Sequence, residues 1–176
     1  MNWRERMVGG TTREKRCLIA ASIFSLLLLI ADQVSKWLVI TRFRNGESIP
    51  VISPVLNFTS VRNLGAAWSI LSGHVWLLLL GGILALVGIV LYFRKLAEGC
   101  VERYFALTML IAGIIGNSFD RAFHGAVIDF IHVHYADVWH YPVFNVADMA
   151  ICGGVILYLI SGFCRRSPEG DEGGKC

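Results

Sequence analysis

Charge is scarce in this sequence. Only 16% of its 176 residues are Asp, Glu, Lys or Arg, against about 25% in an average soluble domain. Hydrophobic residues make up 55% and are gathered into blocks, which excludes a soluble domain with a polar surface. Linkers that could hold a second domain are absent, so residues 1–176 read as a single membrane domain. Metal and disulfide signatures are lacking too. The five cysteines, Cys17, Cys100, Cys152, Cys164 and Cys176, form no CxxC pair, and no His-Glu-x-x-His occurs. Cys152 and Cys164 read as small apolar residues of a spanning helix. Cys176 ends the chain without the aliphatic tripeptide of a prenylation signal. The two halves do not resemble each other, unlike the duplicated halves of many transporters. The first apolar run has no small-x-small cleavage site in the expected place and is too long for a signal peptide, so it reads as a retained helix.

What is present are four apolar blocks near the ~18–20 residues that cross a bilayer. The expected helices cover about 17–40, 74–93, 104–120 and 144–163, with connecting loops 41–73 and 121–143. The first loop holds Val51-Ile52-Ser53-Pro54-Val55-Leu56-Asn57-Phe58-Thr59-Ser60-Val61, whose β-branched and aromatic content predicts short strands interrupted at Pro54. Gly81, Gly82 and Gly88 in the second helix predict close helix packing.

The net charge of +3 comes from basic clusters beside the apolar blocks, a pattern of topology rather than nucleic-acid binding. Eleven Lys and Arg residues flank one side of the helices, in the N-terminal tail, the 94–103 turn and the C-terminal tail. The other side has Arg42, Arg44, Arg62 and, at a helix edge, Arg121. The positive-inside rule therefore expects both termini in the cytoplasm. Asp32, Lys36, Asn63, Gly65, Asp120 and Asp148 then gather toward the outer face.

Ionisable groups at the margin of a spanning helix are functional candidates. Asp120, in Gly116-Asn117-Ser118-Phe119-Asp120-Arg121, and Asp148 are 28 residues apart but are expected at similar depth. Two close carboxylates share a proton, so one can activate water while the other polarises a carbonyl. Asp32 and Lys36, four apart on one helix face, can neutralise each other. The same carboxylates would also suit a small proton- or cation-coupled transporter, and a scaffold without catalysis is a third possibility. The inner halves of the four helices lack ionisable residues, which favours a one-sided pocket. His132, His134 and His140 read as residues of a wet aromatic loop rather than a metal site, and no cofactor or nucleic-acid partner is expected.

Five stretches, in order, resemble the bacterial lipoprotein signal peptidases, the type II signal peptidases. They are Asp32-Gln33-Val34-Ser35-Lys36, Asn63-Leu64-Gly65-Ala66-Ala67-Trp68, the Gly116–Arg121 stretch, Val127-Ile128-Asp129-Phe130-Ile131, and Pro142-Val143-Phe144-Asn145-Val146-Ala147-Asp148. The resemblance implies an all-α integral membrane protein of four transmembrane helices, with a small extracytoplasmic β-cradle after helix one and a flap between helices three and four. It implies a bacterial inner-membrane aspartyl endopeptidase that acts on diacylglyceryl-modified prolipoproteins, cutting before the lipidated cysteine. It further implies a metal-free catalytic pair at Asp120 and Asp148, an outward-facing site among membrane phospholipid, and inhibition by globomycin-type peptides. A monomer is expected. Asn63, Gly65, Asn117, Arg121, Asp129, Asn145 and Ala147 match motif positions around that site, with Asn117 and Asn145 expected at the substrate and Arg121 and Asp129 expected to pair. Asp32 and Lys36 are expected to support fold and site. Two stretches depart from the family pattern: Trp68 stands where Phe is familiar, and the stretch before Gly116 reads Ala112-Gly113-Ile114-Ile115, where two adjacent glycines are commoner.

Overall fold

The computed structural model describes residues 11–65, 70–136 and 138–163. The Ala66–Trp68 part of the second motif, Asp137 and both tails lie outside the described residues. Four long helices are present: α1 (Thr12–Arg42), α2 (Val75–Ala97), α3 (Val101–His124) and α4 (Val146–Phe163). Between them run strands β1 (Ser48–Ile52), β2 (Leu56–Asn63), β3 (Val127–Tyr135) and β4 (Trp139–His140).

Each helix starts or stops for a local reason. The Thr11 hydroxyl and Glu14 carboxylate form a capping box at the start of α1, so α1 begins five residues before the expected 17. Lys95 and Ala97 continue α2 until Glu98 takes a left-handed conformation. Gly125, with φ of 68°, ends α3 one turn beyond the expected 120 and lets the chain reverse into β3.

α3 is the central helix and packs against α1, α2 and α4. Glycines permit that approach. A Cβ at Gly113 would lie 2.5 Å from the Ala147 carbonyl oxygen, and one at Gly154 would lie 2.8 Å from that of Ala106. In α2 only Gly82 behaves this way, with a Cβ reaching 2.9 Å from Ser118 Oγ; Gly81 and Gly88 meet nothing within 4 Å. The packing role expected of all three belongs to Gly82 alone.

The distribution of polarity is that of a membrane protein. α1, α2 and α4 are long and apolar enough to cross a bilayer. α3 matches them in length, but Glu102, Arg103, Asn117, Asp120 and Arg121 lower its hydropathy, and it stands outside that set. Large apolar side chains face outward, with Trp76 76% and Leu91 75% exposed, while Asp32, Lys36, Asn117, Asp120 and Asn145 are buried. Polar groups inside and apolar groups outside suit a hydrocarbon surround.

The strands form one antiparallel sheet in the order β1-β2-β3-β4. The expected break at Pro54 is the turn between β1 and β2. The second loop, expected as a flap, contributes β3 and β4, and β3 pairs with β2 through Phe58–Ile131 and Asn63–Val127. Ile128 and Phe130 pack with Val39 of α1, which fastens the sheet to one end of the helices.

Candidate active site

The site is organised by the start of α4. Asn145 precedes the helix, and its side-chain Oδ1 accepts from the Asp148 backbone N–H at 2.9 Å. Asp148 Oδ2 accepts in return from the Asn145 backbone N–H at 3.2 Å. This reciprocal pair is a capping box with Asp in the third position. It fixes the Asp148 carboxylate at a helix N-terminus, where the backbone dipoles favour negative charge.

Asn145 is fully buried and uses the rest of its amide on three neighbours. Its Nδ2 donates to Asp129 Oδ1 at 2.7 Å, to Asn117 Oδ1 at 3.1 Å and to the Ile128 carbonyl at 3.4 Å. Asn117 Oδ1 also accepts from Lys36 Nζ at 3.1 Å. Two donors on that oxygen orient the amide so that Asn117 Nδ2 donates to Asp148 Oδ1 at 2.7 Å. Both Asp148 oxygens are thus held by amide N–H groups.

Lys36 is the centre of a second cluster. Its Nζ lies 2.8 Å from Asp32 Oδ2 and 2.8 Å from Asp120 Oδ2, and all three side chains are almost completely buried. Asp32 Oδ1 accepts from the Ala147 N–H at 2.8 Å, and Asp120 Oδ2 accepts from the Ile128 N–H at 3.2 Å. Gly116 makes room for this cluster: a Cβ there would stand 2.6 Å from Asp32 Oδ2 and 3.2 Å from Ala147 Cβ.

A cavity of about 390 Å³ opens beside these groups. Its lining includes Asn63, Asn117, Arg121, Asp129 and Asp148, with apolar walls from Ile114, Val127, Val143, Phe144 and Ile151. The carboxylates on this cavity are Asp129 and Asp148. Asp120, expected to face Asp148, is 1% exposed and turned to Lys36. The i, i+3 spacing of Asn117 and Asp120 puts both near one face of α3, yet α1 captures the second with its lysine.

Asp129 arrives from the sheet. Its Oδ2 accepts from Asn63 Nδ2 at 3.0 Å, so β2 and β3 position it jointly. Burial, and then the neighbouring Asp148, push its carboxyl up to about 7 against the opposing hydrogen bonds of Asn63 and Asn145. Asn63 Oδ1 accepts from the Gly65 N–H at 2.9 Å. Arg121 does not form the expected salt bridge with Asp129; its guanidinium donates to the carbonyls of Asn117 at 3.4 Å and Gly65 at 3.2 Å. Gly65, Asn63 and Arg121 are therefore one support at the cavity mouth. A carboxylate amid Val127, Ile128, Phe130 and Ile131 was the sequence signal for Asp129: period-two alternation puts Val127 and Asp129 on one face.

Comparison with known proteins gives one answer. The family model for signal peptidase II matches residues 24–164. A lipoprotein signal peptidase of Bacillus velezensis is 46% identical over 138 residues, covering 78% of this chain and 90% of that protein. One from Geobacillus thermodenitrificans is 43% identical, covering 92% and 98%. A solved bacterial membrane enzyme superposes with a TM-score of 0.81 at 37% identity, covering 89% of this chain and 96% of the other. A second such structure gives 0.73 at 38% identity, covering 85% and 96%. Matched in sequence and in overall fold over most of its length, the chain belongs to the signal peptidase II family, proteases that remove signal peptides from prolipoproteins.

Proposed function

We propose that this protein is an intramembrane aspartyl endopeptidase whose reacting pair is Asp129 and Asp148. The observation that carries this reading is the single cavity on which those two carboxylates meet, joined through Asn145. Asp120 is not kept as the second member of the pair, because Lys36 neutralises it away from the cavity.

The chemistry follows from the two environments. Amide donors from Asn117 and Asn145 hold both oxygens of Asp148 and aim its carboxylate at the cavity. Asp129, raised to about 7, holds the proton the pair shares. Asp148 takes a proton from water as its oxygen attacks the scissile carbonyl carbon. Asp129 gives its proton to the carbonyl oxygen, forming a non-covalent tetrahedral intermediate. Collapse returns that proton to Asp129, breaks the C–N bond and passes the proton on Asp148 to the leaving amine. No step requires a metal.

The substrate in this reading is a diacylglyceryl-modified prolipoprotein, cut just before the lipidated cysteine. The apolar walls suit acyl chains and the flanking signal helix, and the polar end suits the scissile peptide. α3 acts as a fourth span, with both termini cytoplasmic and the sheet forming a cradle at the outer face of the inner membrane. Tyr141–Phe144 border the cavity as part of the flap. A globomycin-type cyclic peptide would occupy the same cavity, and one chain suffices for the site.

The test is cleavage of a diacylglyceryl-modified precursor peptide by the purified, reconstituted protein. Asp129→Asn and Asp148→Asn are expected to fold and bind precursor but release no signal fragment, and Asp120→Asn is expected to cleave. Normal cleavage by Asp129→Asn with none by Asp120→Asn would return the role to Asp120. Equal cleavage of unmodified precursor would remove the lipid from the substrate.

A further inference from the structure

Three histidines outside the cavity are brought together only by the fold. His132 and His134 are two apart on β3 and so share a face of the sheet. His140 is the register partner of His134 across the β3–β4 pair. The three rings form a compact triangle, with centroids 5.1 Å apart for His132–His134, 5.5 Å for His132–His140 and 5.8 Å for His134–His140. Three imidazoles bound to one tetrahedral ion through bonds of about 2.1 Å would have centroids about 5 Å apart. The observed triangle is close to that size.

The hydrogen bonds point the same way. His134 Nδ1 lies 3.3 Å from the Ala136 carbonyl, to which only a protonated Nδ1 can donate. That tautomer leaves a lone pair on Nε2, and His134 Nε2 is shielded from solvent with no partner among the described residues. His132 Nδ1 is 3.4 Å from Thr59 Oγ1. A ring nitrogen engaged by a carbonyl or hydroxyl while the other stays open is the usual outer support of a metal-bound histidine. An unpaired buried ring nitrogen is otherwise a cost with no return.

We propose that His132, His134 and His140 bind one divalent transition ion on the outer surface of the β3–β4 hairpin, with a fourth position open to water. In the structure the ring planes lie 17–36° apart, and among the described residues no group of three or more His, Cys, Asp or Glu is placed to hold a metal ion as it stands. Binding therefore requires His132 and His140 to turn toward His134 Nε2, while the Ala136 carbonyl keeps the His134 ring in place. Neutral imidazole donors suit Zn²⁺, Cu²⁺ or Ni²⁺ rather than Mg²⁺ or Ca²⁺. The ion would tie β4 to β3. Tyr141 follows β4 directly, hydrogen-bonds through its N–H to the Val133 carbonyl at 2.9 Å and lines the cavity, so occupancy would stiffen that wall.

The test uses the untagged full chain in detergent micelles, titrated with Zn²⁺ by calorimetry and with Co²⁺ by visible absorption. One ion per chain is expected, with the intense bands of four-coordinate Co²⁺ and no thiolate charge-transfer band. His134→Gln and His140→Gln are expected to weaken binding about 10–100-fold, on the scale of other metal-site losses. The double variant His74→Gln/His124→Gln is expected to bind as the parent does. Absence of stoichiometric binding, unchanged affinity in His134→Gln and His140→Gln, or a thiolate band would each overturn the proposal. None of these readouts depends on peptidase activity.

Discussion

Two buried carboxylate clusters lie side by side in this protein and differ in what neutralises them. Around Lys36, two carboxylates share one ammonium at 2.8 Å each, and Asp32 also accepts from the Ala147 N–H. Around Asn145, two carboxylates are held by amides, without a salt bridge to either among the described residues. The first cluster is out of contact with the cavity and the second borders it. A cation fixes a carboxylate as an ion and uses up its chemistry. An amide fixes its position and leaves its proton exchangeable. The two clusters communicate through Asn117, whose oxygen faces Lys36 and whose nitrogen faces Asp148.

This contrast can be broken in four ways. The largest effect is expected in the amide-held cluster, where Asp129→Asn or Asp148→Asn lowers the cleavage rate by about 10²–10⁴-fold or more, as loss of an acid–base group does. Single-turnover assays on folded protein would measure it, and a loss below tenfold would break the division of roles. Next is Lys36→Met, which leaves two carboxylates without their counter-ion. A destabilisation of about 3–5 kcal/mol is expected, read as a lower thermal midpoint in micelles. Adding Asp32→Asn and Asp120→Asn to Lys36→Met should recover part of it; no recovery would mean that packing, not charge, is at stake.

A smaller effect is expected at Gly116→Ala, whose Cβ would press on Asp32 and Ala147 and cost about 1–3 kcal/mol by overpacking. The fourth is a pH drift, read as a slope across several pH units rather than as a single loss. Asp129 titrates at about 7 in the folded protein, above the roughly 3.9 of an unfolded Asp. The folded state therefore binds more protons than the unfolded state between about pH 4 and 7. Stability is highest at the acid end of that window and declines as pH rises to about 7. Asp129→Asn should flatten the decline in melts across the same range. An unchanged slope would assign the drift to another group.

The helices were legible because a bilayer demands long apolar runs, and the runs are there. α3 was legible as well, although its paired charges at both ends thin its apolar window. Asp148 could be read because the first turn of a helix fixes where its third residue points. The relation between Asp120 and Asp129 could not. It depends on α1 delivering Lys36 to one face of α3, and on β2 pairing with β3 so that Asn63 meets Asp129. Both are contacts between segments more than 60 residues apart. Reading 121–143 as a loop and flap, without a strand over 127–135, left Asp129 as a motif position with no face assigned to it. The three histidines were grouped in the sequence and read against a metal site; their triangle depends on the β3–β4 register that brings His140 opposite His134.

Asn145 has a consequence for drug resistance. Its side chain answers four groups at once, and its own N–H answers a fifth. Aspartate at this position would lose every side-chain donor and add a third carboxylate, while glutamine would carry the amide one carbon too far. Serine or alanine would open a hole between Asp129 and Asp148. A compound anchored on this amide and its two carboxylates would meet a position where each of these replacements gives up bonds that hold both carboxylates in place.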